Sequence, residues 1–295
     1  MKRKLAPYVL LAPQIILTIL FMIGLGAGIT QSFGVIPAFG LKEPTLHYYK
    51  EICLRQDMVE SIFYSLKIAF FSALGAAVIG TALCGLCVSA GRTKGMFMRI
   101  LQLPVAVPHV VTALFVVSLC SQNGLIARIA CSLGFIETQQ EFPMLIYDRQ
   151  GIGVILAYLW KEIPFIIYFV IALMANINDR LGEAAVNLGA SRLTAFCRIT
   201  LPLCWDTIVS GFLILFVFAL GAYELPFLLG ATKPKALPVL AYQQYMHPDL
   251  RNRPYAMALN GMIIAISLVS AVLYFWLMNR QTRRLAGEKK RGTEI

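Results

Sequence analysis

The segment Glu183-Ala184-Ala185-Val186-Asn187-Leu188-Gly189-Ala190-Ser191, continuing to Ile199-Thr200-Leu201-Pro202, is a polar interruption between two apolar runs. Its residues predict a helix, a tight bend and a second helix. Asp179 is placed to cap a short helix through the Ala pair, and Gly189 stands where a left-handed C-terminal cap would end it. Ser191 is placed to cap a second helix running to about Arg198, and Pro202 suits the opening turn of the long helix that follows. Small side chains at Ala184, Ala185 and Gly189 let a partner approach closely, while Glu183, Arg192 and Arg198 supply directional polar contacts. An ordinary capped loop is the simpler reading of the Glu-Ala-Ala triplet alone. The whole pattern points to docking.

The flanking runs set the class of protein. The chain is 58% hydrophobic and only 14% charged, against about 25% charged residues in a soluble domain, and its mean hydropathy is +0.71. Crossing a hydrocarbon core takes about 20 mainly apolar residues in a helix. Six stretches qualify: Tyr8 to Phe33, Ser61 to Ala90, Ile100 to Ser121, Ile152 to Ala175, Thr207 to Gly230 and Tyr255 to Asn279. Helix is the expected form, because backbone groups in lipid must be satisfied internally and no alternating barrel pattern is present. The expected fold is therefore an all-α integral membrane protein with six transmembrane helices. The opening Met1-Lys2-Arg3-Lys4 precedes an apolar run far longer than that of a signal peptide, so it reads as a retained first span.

Lys and Arg orient the spans. With the N-terminus inside, fifteen fall on the cytoplasmic side: Lys2, Arg3, Lys4, Arg92, Lys94, Arg99, Arg180, Arg192, Arg198, Arg280, Arg283, Arg284, Lys289, Lys290 and Arg291. Nine fall outside: Lys42, Lys50, Arg55, Arg128, Arg149, Lys233, Lys235, Arg251 and Arg253. The bias predicts both termini in the cytoplasm, and places the Glu183 segment there as well. The net charge of +11 is then mostly topological. With basic residues divided among loops and no recognition motif, it gives no ground for nucleic-acid binding.

The Glu183 to Pro202 pattern resembles the EAA loop of the permease subunits of binding-protein-dependent ATP-binding-cassette importers. Further likenesses are Pro7 to Pro13 with Ser32-Phe33, Leu103-Pro104 through Pro108, Trp160 with Pro164-Phe165, and Tyr223 to Gly230. That last stretch, with Leu237-Pro238-Val239 and Arg253-Pro254-Tyr255-Ala256, looks closest to the branch that imports polyamines, thiamine and related solutes. The resemblance implies a five-helix permease core plus an N-terminal helix, in a bacterial inner membrane. It implies one permease domain over 1–295, with its core at about 61–279, the coupling loop at about 176–205 and a basic cytoplasmic tail at 280–295. It also implies partners: an ATPase dimer, a second permease expected to be a different chain, a periplasmic or extracellular solute-binding protein, and membrane lipid. In the coupling role it places Glu183, Ala184, Ala185, Gly189, Ser191, Arg192, Leu201 and Pro202. No G-x-x-x-x-G-K-[ST] is present, so ATP and Mg are expected on the partner ATPase, with no cofactor and no catalytic residue in this chain.

Ionisable groups inside spans are costly and are candidates for the solute pathway. Lys161 and Glu162 fall near the middle of the fourth span, with neighbouring positions about 100° apart, so one at most faces the pathway while the other reaches a neighbouring helix. An inter-helix ion pair is the alternative. Glu224 is read as lying in the fifth span near the outer interface, where a carboxylate would meet a cationic solute; an interfacial Glu in water is the competing reading. His109, just after Pro108, is a gate candidate, against a histidine that bonds across a helix interface. Lys67 is expected to carry its charge to the interface along its stem. Cys84 and Cys87 read as small packing residues, whereas Cys53 and Cys131 fall in outer loops and are a candidate disulfide. His47 and His247 lack metal-ligand spacing, so no metal is assigned. An ion-coupled secondary transporter is the alternative function, which would leave the polar elbow unexplained.

Overall fold

In the computed structural model the described residues are 2–90, 92 and 95–291. Lys94, assigned above to the cytoplasmic side, and residues 292–295 of the basic tail lie outside them. Six helical segments among the described residues are long and apolar enough to cross a membrane, and no strand is present among them. The helices are α1 (Lys2–Ser32), α2 (His47–Leu54), α3 (Gln56–Ser89), α4 (Met96–Ala106), α5 (His109–Cys120), α6 (Leu125–Ser132), α7 (Ile152–Ile177), α8 (Glu183–Asn187), α9 (Arg192–Ala195), α10 (Leu201–Gly221), α11 (Glu224–Leu229), α12 (Leu237–Tyr245) and α13 (Arg253–Arg291).

Two of the expected spans are broken. The run from Ile100 to Ser121 divides at Val107, which adopts an extended conformation (φ −73°, ψ 131°) and ends α4. Its follower is Pro108, whose ring pushes the preceding residue out of the helical region. The run from Thr207 to Gly230 divides at Ala222 (φ −76°, ψ 135°), so α10 ends at Gly221 and Glu224 opens the separate short helix α11. Glu224 therefore does not lie within the fifth spanning helix, as the apolar run suggested.

The chain forms two compact units. One comprises the described residues up to Val59 together with Leu237–Ala265. There the end of α1 is tied to α2. Tyr49 Oη donates to Ser32 Oγ at 2.7 Å, and the Tyr49 ring lies 5.5 Å from that of Phe33. A Cβ at Gly261 of α13 would clash with Tyr49 Oη, so the glycine gives that hydroxyl its room. No residue in the apolar window of α1 is buried on this chain, as suits a helix whose neighbours are lipid or another subunit.

The other unit comprises Glu60–Ala236 with the described residues from Ile266 onward. Its centre is α7, which packs on α10, α4, α5 and α11. Ile166 of α7 is fully buried. A Cβ at Gly80 of α3 would lie 2.8 Å from Ile166 Cβ, and one at Gly211 of α10 would lie 2.8 Å from Ile166 Cδ1. These two glycines let three backbones close on one isoleucine, which is how helices associate where burial from water supplies no drive.

Candidate functional site

The elbow is built from the ends of two spans. Helix α7 does not stop near Ala175. It passes through a π turn at Asn178–Gly182 directly into α8. Asp179 sits inside that continuous helical run and makes no cap, contrary to its expected role. The expectation fails because a π turn keeps the backbone hydrogen-bonded with one residue more per turn, which the sequence pattern does not announce.

The true end comes at Gly189, with φ +94°. The Ala190 N–H bonds to Ala185 O at 3.0 Å and the Gly189 N–H to Val186 O at 2.9 Å. This is the paired arrangement that satisfies terminal carbonyls around a left-handed residue. Two residues on, the Ser191 hydroxyl accepts from the Thr194 N–H at 3.1 Å and starts α9. Helix α9 likewise runs through a π turn, Phe196–Thr200, into α10, where Pro202 occupies the first turn. The helix opened by Ser191 thus continues beyond Arg198 without interruption. Each half of the elbow is a rigid extension of a spanning helix, and the bend between them is at Leu188–Ser191.

The elbow is braced against the end of α3. Arg192 donates from Nη1 to Ser89 O at 3.2 Å, a cation on a helix-terminal carbonyl. A Cβ at Gly85 would lie 2.6 Å from Phe196 Cζ, so α3 and the π turn touch ring to backbone. Between α3 and α8 is a recess of about 600 Å³ lined by Ser89, Asp179, Glu183, Asn187 and Arg192 among others. Glu183, Ala184, Gly189, Ser191 and Arg192 are exposed, Ala185 and Leu201 are half-buried, and Pro202 is exposed. The bend also displays apolar side chains to which the motif draws no attention: Leu188 is 90% exposed and Leu193 is 72% exposed.

The second polar group gathers at the span breaks. Lys161 Nζ donates to Val107 O, the carbonyl beside the Pro108 break. His109 Nδ1 lies 3.3 Å from Glu224 Oε2, joining the start of α5 to the start of α11. The Glu224 side chain is 56% exposed and that of His109 28%. Three of the four expected pathway residues thus gather at the span breaks, His109 and Glu224 as the first residues of α5 and α11 and Lys161 reaching the Val107 carbonyl from within α7. Glu162 is not among them: it is buried and faces Ser72 of α3. Lys161 and Glu162 form no ion pair, the Lys161 ammonium being turned to Val107. The sequence signal for the break itself is Pro108, which the apolar length on either side conceals. Lys67 donates to Gln150 Oε1 at 2.6 Å. Cys53 and Cys131 are both free thiols here.

The group is held from both sides of α11. The Tyr147 N–H bonds to Leu229 O at 2.9 Å, and Tyr64 Oη accepts from the Ala231 N–H at 3.2 Å. Neither tyrosine stands out in the sequence, because their role depends on where the loop after α11 returns.

Residues 77–287 match the family described as the binding-protein-dependent transport system inner membrane component. The chain is 26% identical over 243 residues to the sulfate transport system permease protein CysT of Escherichia coli strain K12, covering 81% of this chain and 83% of that one. It is 24% identical over 244 residues to the putrescine transport system permease protein PotI of the same strain, covering 81% and 79%. A chain in the crystal structure of a bacterial alginate ABC transporter, in complex with its alginate pentasaccharide-bound periplasmic protein, shares the fold. Its TM-score is 0.74 at 21% identity, with 96% of each chain covered.

Proposed function

Since this chain belongs to the inner-membrane components of binding-protein-dependent transport systems, we propose that it couples to a separate ATPase through the Glu183 to Ser191 elbow and carries a polyamine-type cation. The observation that carries the coupling role is the exposed apolar bend. Leu188 and Leu193 stand exposed at the junction of two candidate spans, among polar residues, and exposed apolar side chains with a polar rim mark a docking surface. Glu183, Ala184, Ala185, Gly189, Ser191 and Arg192 shape that surface, and Leu201 and Pro202 begin the helix behind it. On this reading the elbow and both termini are cytoplasmic.

Because α8 continues α7 and α9 continues α10 through unbroken helix, a displacement of the bend is passed to the spans as rigid-body motion rather than absorbed in a loop. ATP and Mg bind on the ATPase, and hydrolysis happens there. A second permease chain, different from this one, completes the pathway, and a solute-binding protein delivers the cargo from the other side.

The cation reading rests on Glu224, the exposed carboxylate among the groups gathered at the breaks, with Lys161 engaged by a backbone carbonyl. Lys161, Glu162 and His109 are pathway candidates beside it. Uptake of labelled putrescine by inner-membrane vesicles holding the assembled transporter tests the cargo. Putrescine uptake blocked by excess spermidine and unaffected by sulfate or molybdate is expected. Uptake of sulfate with none of putrescine would overturn the cation cargo and leave the coupling role standing.

A further inference from the structure

The first unit carries a recess of about 640 Å³ that includes neither the coupling residues nor the pathway candidates. Its wall includes His47 and Tyr48 of α2, Asp249, Leu250 and Arg251 of the turn before α13, and Tyr255 of α13. The Tyr48 and Tyr255 rings stand perpendicular with centroids 4.9 Å apart. Tyr255 donates its hydroxyl to the Glu51 carboxylate, and His47 Nε2 lies 3.3 Å from the same carboxylate, so the aromatic wall is fixed from behind. The Asp249 carboxylate accepts the Arg251 backbone N–H at 3.0 Å. Among the described residues the Arg251 guanidinium has no hydrogen bond or ion pair. The recess wall therefore carries a cation, a carboxylate and aromatic rings.

The recess lies beside two candidate span ends. By length and composition the sixth candidate span begins at Leu250, in the recess wall, and the first ends at Ser32, to which α2 is bonded through Tyr49. Polar residues at the ends of spans are those that meet phospholipid headgroups.

We propose that this recess binds one phospholipid whose headgroup carries both a phosphate and a primary ammonium, as in phosphatidylethanolamine. The Arg251 guanidinium, planar and unpaired, suits two phosphate oxygens at once. Asp249 accepts from the ammonium, and the Tyr48 and Tyr255 rings attract it by their negative faces. Leu41 and Leu250, also in the wall, meet the glycerol and first acyl carbons. A volume of this size is that of a small-molecule site. A quaternary ammonium has no N–H for Asp249, and an anionic glycerol headgroup has no cation for it, so the recess discriminates between the common lipids.

The proposal requires only that the chain spans a membrane, and is independent of cargo and coupling. The test is native mass spectrometry of the full-length chain, purified in detergent, stripped of lipid, and titrated with phosphatidylethanolamine, phosphatidylglycerol or phosphatidylcholine of identical acyl chains. One retained phosphatidylethanolamine is expected, held in preference to the other two. Arg251→Gln and Asp249→Asn each weaken that retention by about tenfold, the weight of one charge-assisted contact. Both side chains are exposed, and the Asp249→Asn amide keeps an oxygen for the Arg251 N–H, so neither change disturbs the fold. Equal retention of the three lipids, or retention unchanged in both variants, would overturn the proposal. Displacement of the lipid by soluble phosphoethanolamine at equal concentration would overturn it too, since the recess would then read a free phospho-amine rather than a membrane lipid.

Discussion

Truncating Leu188 to alanine separates docking from folding. The side chain stands at 90% exposure on the bend, so within this chain it contributes almost nothing to stability. If a partner covers it, Leu188→Ala removes three carbons from a buried contact. At about 0.8 kcal/mol per methylene-sized group the loss is about 2 kcal/mol, or roughly a 30-fold weaker association. The assay is binding of the partner ATPase to the permease held in lipid nanodiscs, read beside thermal unfolding of the permease alone. A lower affinity with an unchanged unfolding temperature is expected. ATPase affinity within twofold of the parent would refute the docking role. A drop in unfolding temperature with unchanged affinity would show instead that Leu188 is an internal packing residue.

Two further outcomes follow from contacts. Gly85→Ala puts a Cβ 2.6 Å from Phe196 Cζ; overpacking of this kind costs about 1–3 kcal/mol, and the expected result is impaired ATP-driven uptake with membrane insertion intact, measured in the same vesicles. Lys161→Met leaves the Val107 carbonyl without its donor at the Pro108 break. An unsatisfied polar group costs up to about 1–3 kcal/mol when buried, and this bond is part-buried, so a modestly lower unfolding temperature in detergent is expected, and no change would show that the carbonyl finds another partner.

Six spans are legible because a membrane imposes a length and a composition that no other environment requires, and both are linear properties of the chain. The bend of the elbow is legible for a similar reason: Gly189 and Ser191 act on groups within a few residues, so the residue types themselves signal the left-handed end and the new cap. The failures have a shared cause. Asp179 misleads because a π turn carries the helix through a segment whose residue types suggest a boundary. Glu224 is misplaced because hydropathy runs on through Ala222 while the backbone turns out of the helix there. Pro108 announces a break in the third span, but apolar length masks it.

What the sequence determined by itself was therefore local or one-dimensional: membrane residence, the number of crossings and the capped bend. Only the tertiary structure decided which polar groups meet. Lys161 and Val107 are separated by 54 positions, Arg192 and Ser89 by 103, and Tyr64 and Ala231 by 167. Such pairings depend on how helices cross, and that is set by where small residues such as Gly80 and Gly211 let backbones close on Ile166. Linear spacing holds no record of a crossing, because the same apolar helix can present any of several faces to its neighbours until packing selects one.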